Sequence, residues 1–198
     1  MKKIPALALL LSCLLLSACD AVLSPQPMGE EVVVLDMALW QGTWASGEIV
    51  LVTTVLDEQQ GLLEAAWVER GDQGATFESV RGIVRETGEW VFLSMEHQQF
   101  QEDPVAAPGG SAASPNPVAT GEYQWARVDN NGQRMLVWWP DAAQFRDAVT
   151  AGMLPGVIKP NDDILLGPLE EVHLERINSP QGGLLNWASP VVFVRIGN

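Results

Sequence analysis

The sequence is poor in cysteine, in positive charge and in long apolar runs, and each shortage removes a class of protein. Two cysteines among 198 residues are too few for a disulfide-stapled miniprotein. Eleven lysines and arginines stand against 25 aspartates and glutamates, a formal charge of −14. A chain of that sign lacks the cationic surface that a phosphate backbone requires, which excludes nucleic acid as a partner. The one sustained apolar stretch, residues 4–16, is shorter than the roughly 20 residues of a bilayer-spanning helix, so a polytopic membrane protein is excluded too. His97 and His173 are the two histidines, and they are far outside His-Glu-x-x-His spacing. No Gly-x-Ser-x-Gly elbow and no glycine-rich phosphate loop occurs. Neither catalytic residues nor a metal site nor a cofactor is therefore expected.

What is present begins at the N-terminus. Met1-Lys2-Lys3 supplies positive charge, and the apolar run from Ile4 to Leu16 that follows has the length of a secretory signal. Leu16-Ser17-Ala18-Cys19 resembles the lipobox of bacterial lipoproteins, whose cysteine is acylated and becomes the first residue. The resemblance implies loss of residues 1–18, lipidation at Cys19 and residence in the bacterial cell envelope, facing the periplasm. Cys13 leaves with the signal, so no thiol remains free. Lys2 and Lys3 leave as well, so the formal charge falls from −14 to −16. Asp20 resembles the signal that retains enteric lipoproteins in the inner membrane, with the outer membrane as the alternative. Residues 19–30, with Pro25, Pro27 and Gly29, read as the lipidated residue and an extended tether.

From Glu31 to Asn198 the pattern is that of one β-rich domain. Runs of β-branched and aromatic residues alternate with turn signals at Glu31–Leu35, Glu48–Leu56, Leu62–Glu69, Thr76–Glu86, Trp90–Met95, Tyr123–Val128, Arg134–Trp139 and Val191–Ile196. Asn131-Gly132 predicts a tight hairpin with positive φ angles. Asp141 predicts the cap of a helix running to Ala151, and Pro168 the start of a second one with Leu169, Val172 and Ile177 on one side. Residues 101–120 hold four prolines and a Gly-Gly pair and read as a flexible loop. The expected architecture is mainly β, an antiparallel meander forming a small barrel or strongly curved sheet, with two late helices packed on it. Gly42 and Trp44, within Trp40-Gln41-Gly42-Thr43-Trp44, resemble the Gly-x-Trp signature of lipocalin-like barrels. That resemblance implies a tryptophan closing one end of the barrel beneath an arginine from a late strand, a part that falls to Arg195. The chain as a whole resembles the small lipoproteins of the bacterial envelope.

Eight tryptophans are the richest functional signal. Strand alternation puts Leu63, Ala65 and Trp67 on one face, Trp90 with Phe92 on another, and Tyr123 with Trp125 and Arg127 on a third. If those faces converge, Trp67, Trp90, Tyr123 and Trp125 line an aromatic interior with Arg127 near its rim, suited to an amphiphile. Trp138-Trp139 must send one indole outward, where the late helices are expected to cover it. Asn161-Asp162-Asp163 and Asp129-Asn130-Asn131-Gly132 both lack full calcium-loop spacing. Two non-catalytic roles follow from these residues. One is an accessory protein held at the membrane by its acyl chains and binding envelope proteins. The other is a lipocalin-like carrier of a small hydrophobic ligand.

Overall fold

In a computed structural model, residues 20–47, 49–71, 74–97 and 121–197 are described. Residues 1–19, where a signal and a lipidated cysteine were expected, and the proline-rich segment 101–120 lie outside them. In chain order the elements are β1 (Val22–Ser24), β2 (Glu31–Val32), α1 (Met37–Trp40), β3 (Gly42–Ser46), β4 (Ile49–Asp57), β5 (Leu62–Gly71), β6 (Gly74–Thr87), β7 (Trp90–Glu96), β8 (Tyr123–Asn130), β9 (Arg134–Trp138), α2 (Ala142–Thr150), β10 (Gly156–Ile158), β11 (Ile164–Leu166), α3 (Glu171–Asn178) and β12 (Val191–Gly197).

Hairpin joins hairpin from β3 to β9, each strand antiparallel to the next, and β12 inserts between β3 and β9. Because β9 also pairs with β8, these eight strands form a closed barrel with no free edge between them. The turns are built as their residues require. Asp57 Oδ1 accepts the amides of Gln59 and Gln60 at 2.9 and 3.1 Å, and Asn131 Oδ1 accepts those of Gln133 and Arg134 at 3.0 and 2.8 Å. Only Gly132 of the Asn131-Gly132 pair takes a positive φ, +79°. The side-chain hydrogen bonds of Asn131 tighten the loop instead.

Two apolar cores share the barrel wall. Inside are Trp44, Leu63, Ala65, Val84, Val128 and Val137, among others. Outside, against β7 and β8, Phe92 and Trp125 pack beneath Phe145 of α2 and Leu174 and Ile177 of α3. The rings of Phe92, Trp125 and Phe145 meet edge to face at 6.0 and 5.7 Å, the geometry that aromatic quadrupoles favour. Both late helices therefore lie on the barrel's outer face.

Three expectations need correcting. Residues 20–30 are not a tether: β1 pairs in parallel with β11 and antiparallel with β8, and Val22, Leu23 and Met28 are buried. Val22 and Leu23 before the two prolines and Met28 after them have enough apolar surface to bury, and the sheet extension β10–β11 supplies the place. The second late helix starts at Glu171, not Pro168, with the Glu170 amide donating to His173 Nδ1 at 3.0 Å. Leu174 and Ile177 face the core there, while Val172 is exposed. The strand expected at Glu31–Leu35 is two residues long, and the chain then turns inward so that Leu35 is buried.

Candidate functional site in the barrel interior

One end of the barrel is closed by a small construction of α1, β3, β4 and β12. Asp36 caps α1 by accepting the Ala38 amide at 2.8 Å, and the helix places Trp40 over the barrel end, where it is buried. Beneath it the Trp44 indole is fully buried and donates from Nε1 to Thr53 Oγ1 at 2.9 Å. The Thr53 hydroxyl in turn donates to the Trp40 carbonyl, so the Trp44 indole N–H and the Thr53 hydroxyl both have partners. Arg195 of β12 lies with its guanidinium 4.5 Å from the Trp44 ring centroid. It donates to the carbonyls of Ala38, Leu39 and Gln41 at 3.0, 2.8 and 2.9 Å, satisfying the carbonyls that a helix end leaves open. A Cβ on Gly42 would come within 3.0 Å of Arg195 Nη1 and of the Gly197 carbonyl. Glycine is what lets the arginine seat there.

Above this floor the barrel is not filled. A cavity of about 260 Å³ extends toward the opposite end, bordered by Trp40, Leu51, Leu63, Trp67, Met95 and Phe193 among others. Among the described residues, Thr53 is the one lining residue that is neither aliphatic, aromatic nor thioether, and its hydroxyl is already engaged in the floor. Among the described residues, no charged side chain borders the space. The described lining can hold apolar surface, and a charged group set against it would lose its solvation without compensation.

Among the residues that alternation pointed to, Trp67 faces this cavity and Leu63 and Ala65 share its face. Trp90, Tyr123, Trp125 and Arg127 do not join them. Trp125 is fully buried in the outer core, with Trp90 packed against that core. Tyr123 and Arg127 follow the same alternation on β8, whose inward face carries Ala126 and Val128. Arg127 stacks between Trp138 and Trp187, its guanidinium 5.4 and 4.9 Å from their ring centroids. Burial there lowers its pKa, an effect that Asp129 and Glu89 partly offset. Burial raises the pKa of the Tyr123 phenol, and the Glu96 carboxylate adds to the rise. The expected convergence fails for a simple reason. The walls of β7 and β8 are apolar on both faces because helices cover the outside, so alternation alone does not say which face is inward.

The Trp138-Trp139 pair splits as alternation demands. Trp138 turns outward and is covered, 5.5 Å from the Trp187 ring, while Trp139 borders the cavity and is 40% exposed. Sequence reasoning missed Leu51, Met95 and Phe193. The signal for Leu51 was present: Trp44, Leu51 and Trp67 are direct cross-strand partners, so the Gly-x-Trp tryptophan sets the inward register of its neighbours.

The remaining candidates lie elsewhere. Asp20 pairs with Arg146 at 2.7 Å. His97 Nε2 is 3.7 Å from Asp163 Oδ2, and its Nδ1 shares a 3.0 Å hydrogen bond with Gln124. Asp163 is buried and accepts from the Ala21 amide and from Asn161 at 2.9 and 2.6 Å, which ties the start of the fold to the β10–β11 hairpin. His97 and His173 thus belong to separate networks, and neither borders the cavity. No protein-family model, curated protein or solved structure matches this chain.

Proposed function

We propose that this is a lipid-anchored protein of the bacterial envelope, acylated at Cys19, whose barrel carries a small uncharged apolar molecule as lipocalin-like proteins do. The observation that carries the reading is the unfilled interior of about 260 Å³, in which Thr53 is the one polar lining residue among those described. Well-packed barrels of eight strands can fill themselves with side chains; this one leaves room above the Trp40 floor. Pockets for drug-sized ligands run from about 300 Å³ upward, so the occupant is slender, a single alkyl chain or one small ring system. The Gly42, Trp44 and Arg195 arrangement supports the lipocalin comparison, and the lipobox supports the anchor.

Titration with an apolar fluorophore tests the carrier reading. Binding that saturates at one equivalent and is abolished by Ala65→Phe, which fills the cavity, is the expected outcome. A protein that shows no saturable binding, or binds equally well with the cavity filled, is not a carrier. Incorporation of labelled palmitate, lost in Cys19→Ala, tests the anchor.

A second reading, docking to an envelope protein, rests on a separate observation. Val50, Val52, Val192, Val194 and Ile196 are exposed on the outer face of β4 and β12, which flank β3 with Val194 opposite Ala45 and Ala45 opposite Val50. A contiguous apolar strip on a sheet face marks a contact surface. Crosslinking in intact cells that is unchanged by Val194→Glu would remove this reading.

A further inference from the structure

The barrel wall contains one fork. β7 occupies one edge of β8 without interruption from Tyr123 to Val128. On the other edge β9 pairs with Arg127–Asn130, and β1 takes over at Tyr123 and Gln124. Trp125 and Ala126 lie between the two ladders and belong to neither. At this point β9 has diverged, its chain continuing through Trp139 and Pro140 toward α2. A surface cleft of about 160 Å³ occupies the divergence, bordered by Asp20, Ala21, Val22, Gln124, Trp139 and Pro140, among others. Ala126 and Trp139 border the interior cavity, and Trp139 borders the cleft as well. The half-exposed Trp139 side chain therefore stands between the outside and the barrel interior.

The chain enters the fold at this same place, and it is held there. Asp20 is fixed by Arg146, which also donates to the Asp162 carbonyl at 2.8 Å, and the Ala21 amide is fixed by Asp163. Cys19 precedes Asp20 directly, and consecutive Cα atoms are about 3.8 Å apart. Without a tether, acyl chains on Cys19 start beside the fork and bring the bilayer to it.

We propose that the fork between β8 and β9 is a side entrance through which the barrel takes one acyl chain of a lipid directly from the bilayer that anchors the protein. This rests on the carrier reading and on acylation of Cys19, and it names the ligand class and its route. An acyl chain suits a cavity whose described lining carries no charge and whose one hydroxyl, on Thr53, is already hydrogen-bonded. The lipid headgroup stays at the cleft, where Asp20, Arg146 and Gln124 keep the surroundings polar.

The test uses the full lipidated protein in vesicles of phosphatidylethanolamine and phosphatidylglycerol. These carry a small fraction of phosphatidylcholine with a photoactivatable diazirine near the end of one acyl chain. Mapped crosslinks are expected at cavity residues such as Leu93, Ala126 and Met135. Ala21→Trp, which fills the cleft without touching the backbone amide, should lower them about tenfold. Gln124→Phe is the second variant should the first fold poorly, and both should bind an apolar fluorophore supplied from water as the unaltered protein does. Interior crosslinks that persist in both variants overturn the side entrance. So do crosslinks confined to the outer strip around Val50 and Val194. In either case fluorophore binding in the unaltered protein leaves the carrier reading standing, and its absence removes both.

Discussion

The Arg195 guanidinium sits 4.5 Å from the centre of the Trp44 ring while donating three hydrogen bonds to the chain around α1. One side chain of the last strand thereby joins the first barrel strand to the helix that floors the barrel. A cation over a desolvated indole contributes about 2 kcal/mol, and charge-assisted hydrogen bonds add to it. Arg195→Ala should therefore lower unfolding free energy by about 2–4 kcal/mol, read by urea denaturation. Arg195→Lys keeps the charge but loses the planar fork, and should recover less than half of that loss. A lysine variant as stable as the original would show that charge alone matters.

Gly42 answers to the same contact. A methyl group there meets Arg195 and the Gly197 carbonyl at 3.0 Å, and the backbone stands at φ +156°. Gly42→Ala should cost about 1–3 kcal/mol. Combining it with Arg195→Ala should give less than the sum of the two losses, because the arginine half of the clash is then gone. Strict additivity in that double-mutant cycle would separate the two residues.

The floor depends on one hydroxyl. Thr53 Oγ1 accepts from the Trp44 indole and donates to the Trp40 carbonyl, so Thr53→Val preserves shape and leaves both groups unpaired. The expected loss is about 1–3 kcal/mol for each buried group left without a partner, before any relaxation. Denaturation midpoints check it, with Thr53→Ser as the control that keeps the hydroxyl.

Much of this architecture was legible because strands with one buried face announce themselves. The eight barrel strands fall on or near predicted runs, apart from β3, which entered the reading only through Trp40–Trp44. Asp141 caps α2 as its position before an apolar-periodic run implied. β1, β10 and β11 were hidden, since three-residue strands lack room for a period and form only because the sheet of β8 extends to receive them. The site was half legible. Trp67 could be placed because its face alternates against polar neighbours such as Glu64, whereas Trp90 and Trp125 lie on strands apolar on both sides. Choosing between two apolar faces required the helices, and their docking is a tertiary fact.

Tyr123 offers a probe that needs no label, being the single tyrosine of the chain. Burial, and then the Glu96 carboxylate, raise its pKa above the usual 10.0. The folded protein thus keeps the phenolic proton to higher pH than the unfolded chain does. The associated stability is complete below the unfolded pKa and is lost as pH rises through the folded one. Tyrosinate absorbance should titrate above pH 10 in the native protein and return toward about 10 in denaturant. Glu96→Gln should lower the native midpoint by less than half of the elevation, because burial is the larger cause. A native midpoint at or below the denatured one would contradict the buried setting on β8.

Trp67 and Trp125 should part company when both stability and binding are measured. Trp125 fills the outer core, between Phe92 and Phe145, and has no exposed surface. Truncating a tryptophan in such a place leaves a cavity and costs about 3–5 kcal/mol. Trp125→Ala should therefore destabilise strongly, and at temperatures where it remains folded it should bind an apolar fluorophore with unchanged affinity. Trp67 borders the interior space, which is already partly open, so Trp67→Ala removes less packing and enlarges the cavity instead. It should cost about half as much stability and should shift binding toward bulkier probes. The comparison turns on which side of the wall each indole occupies. A fluorophore affinity that responds to Trp125 and ignores Trp67 would reverse the assignment of inside and outside.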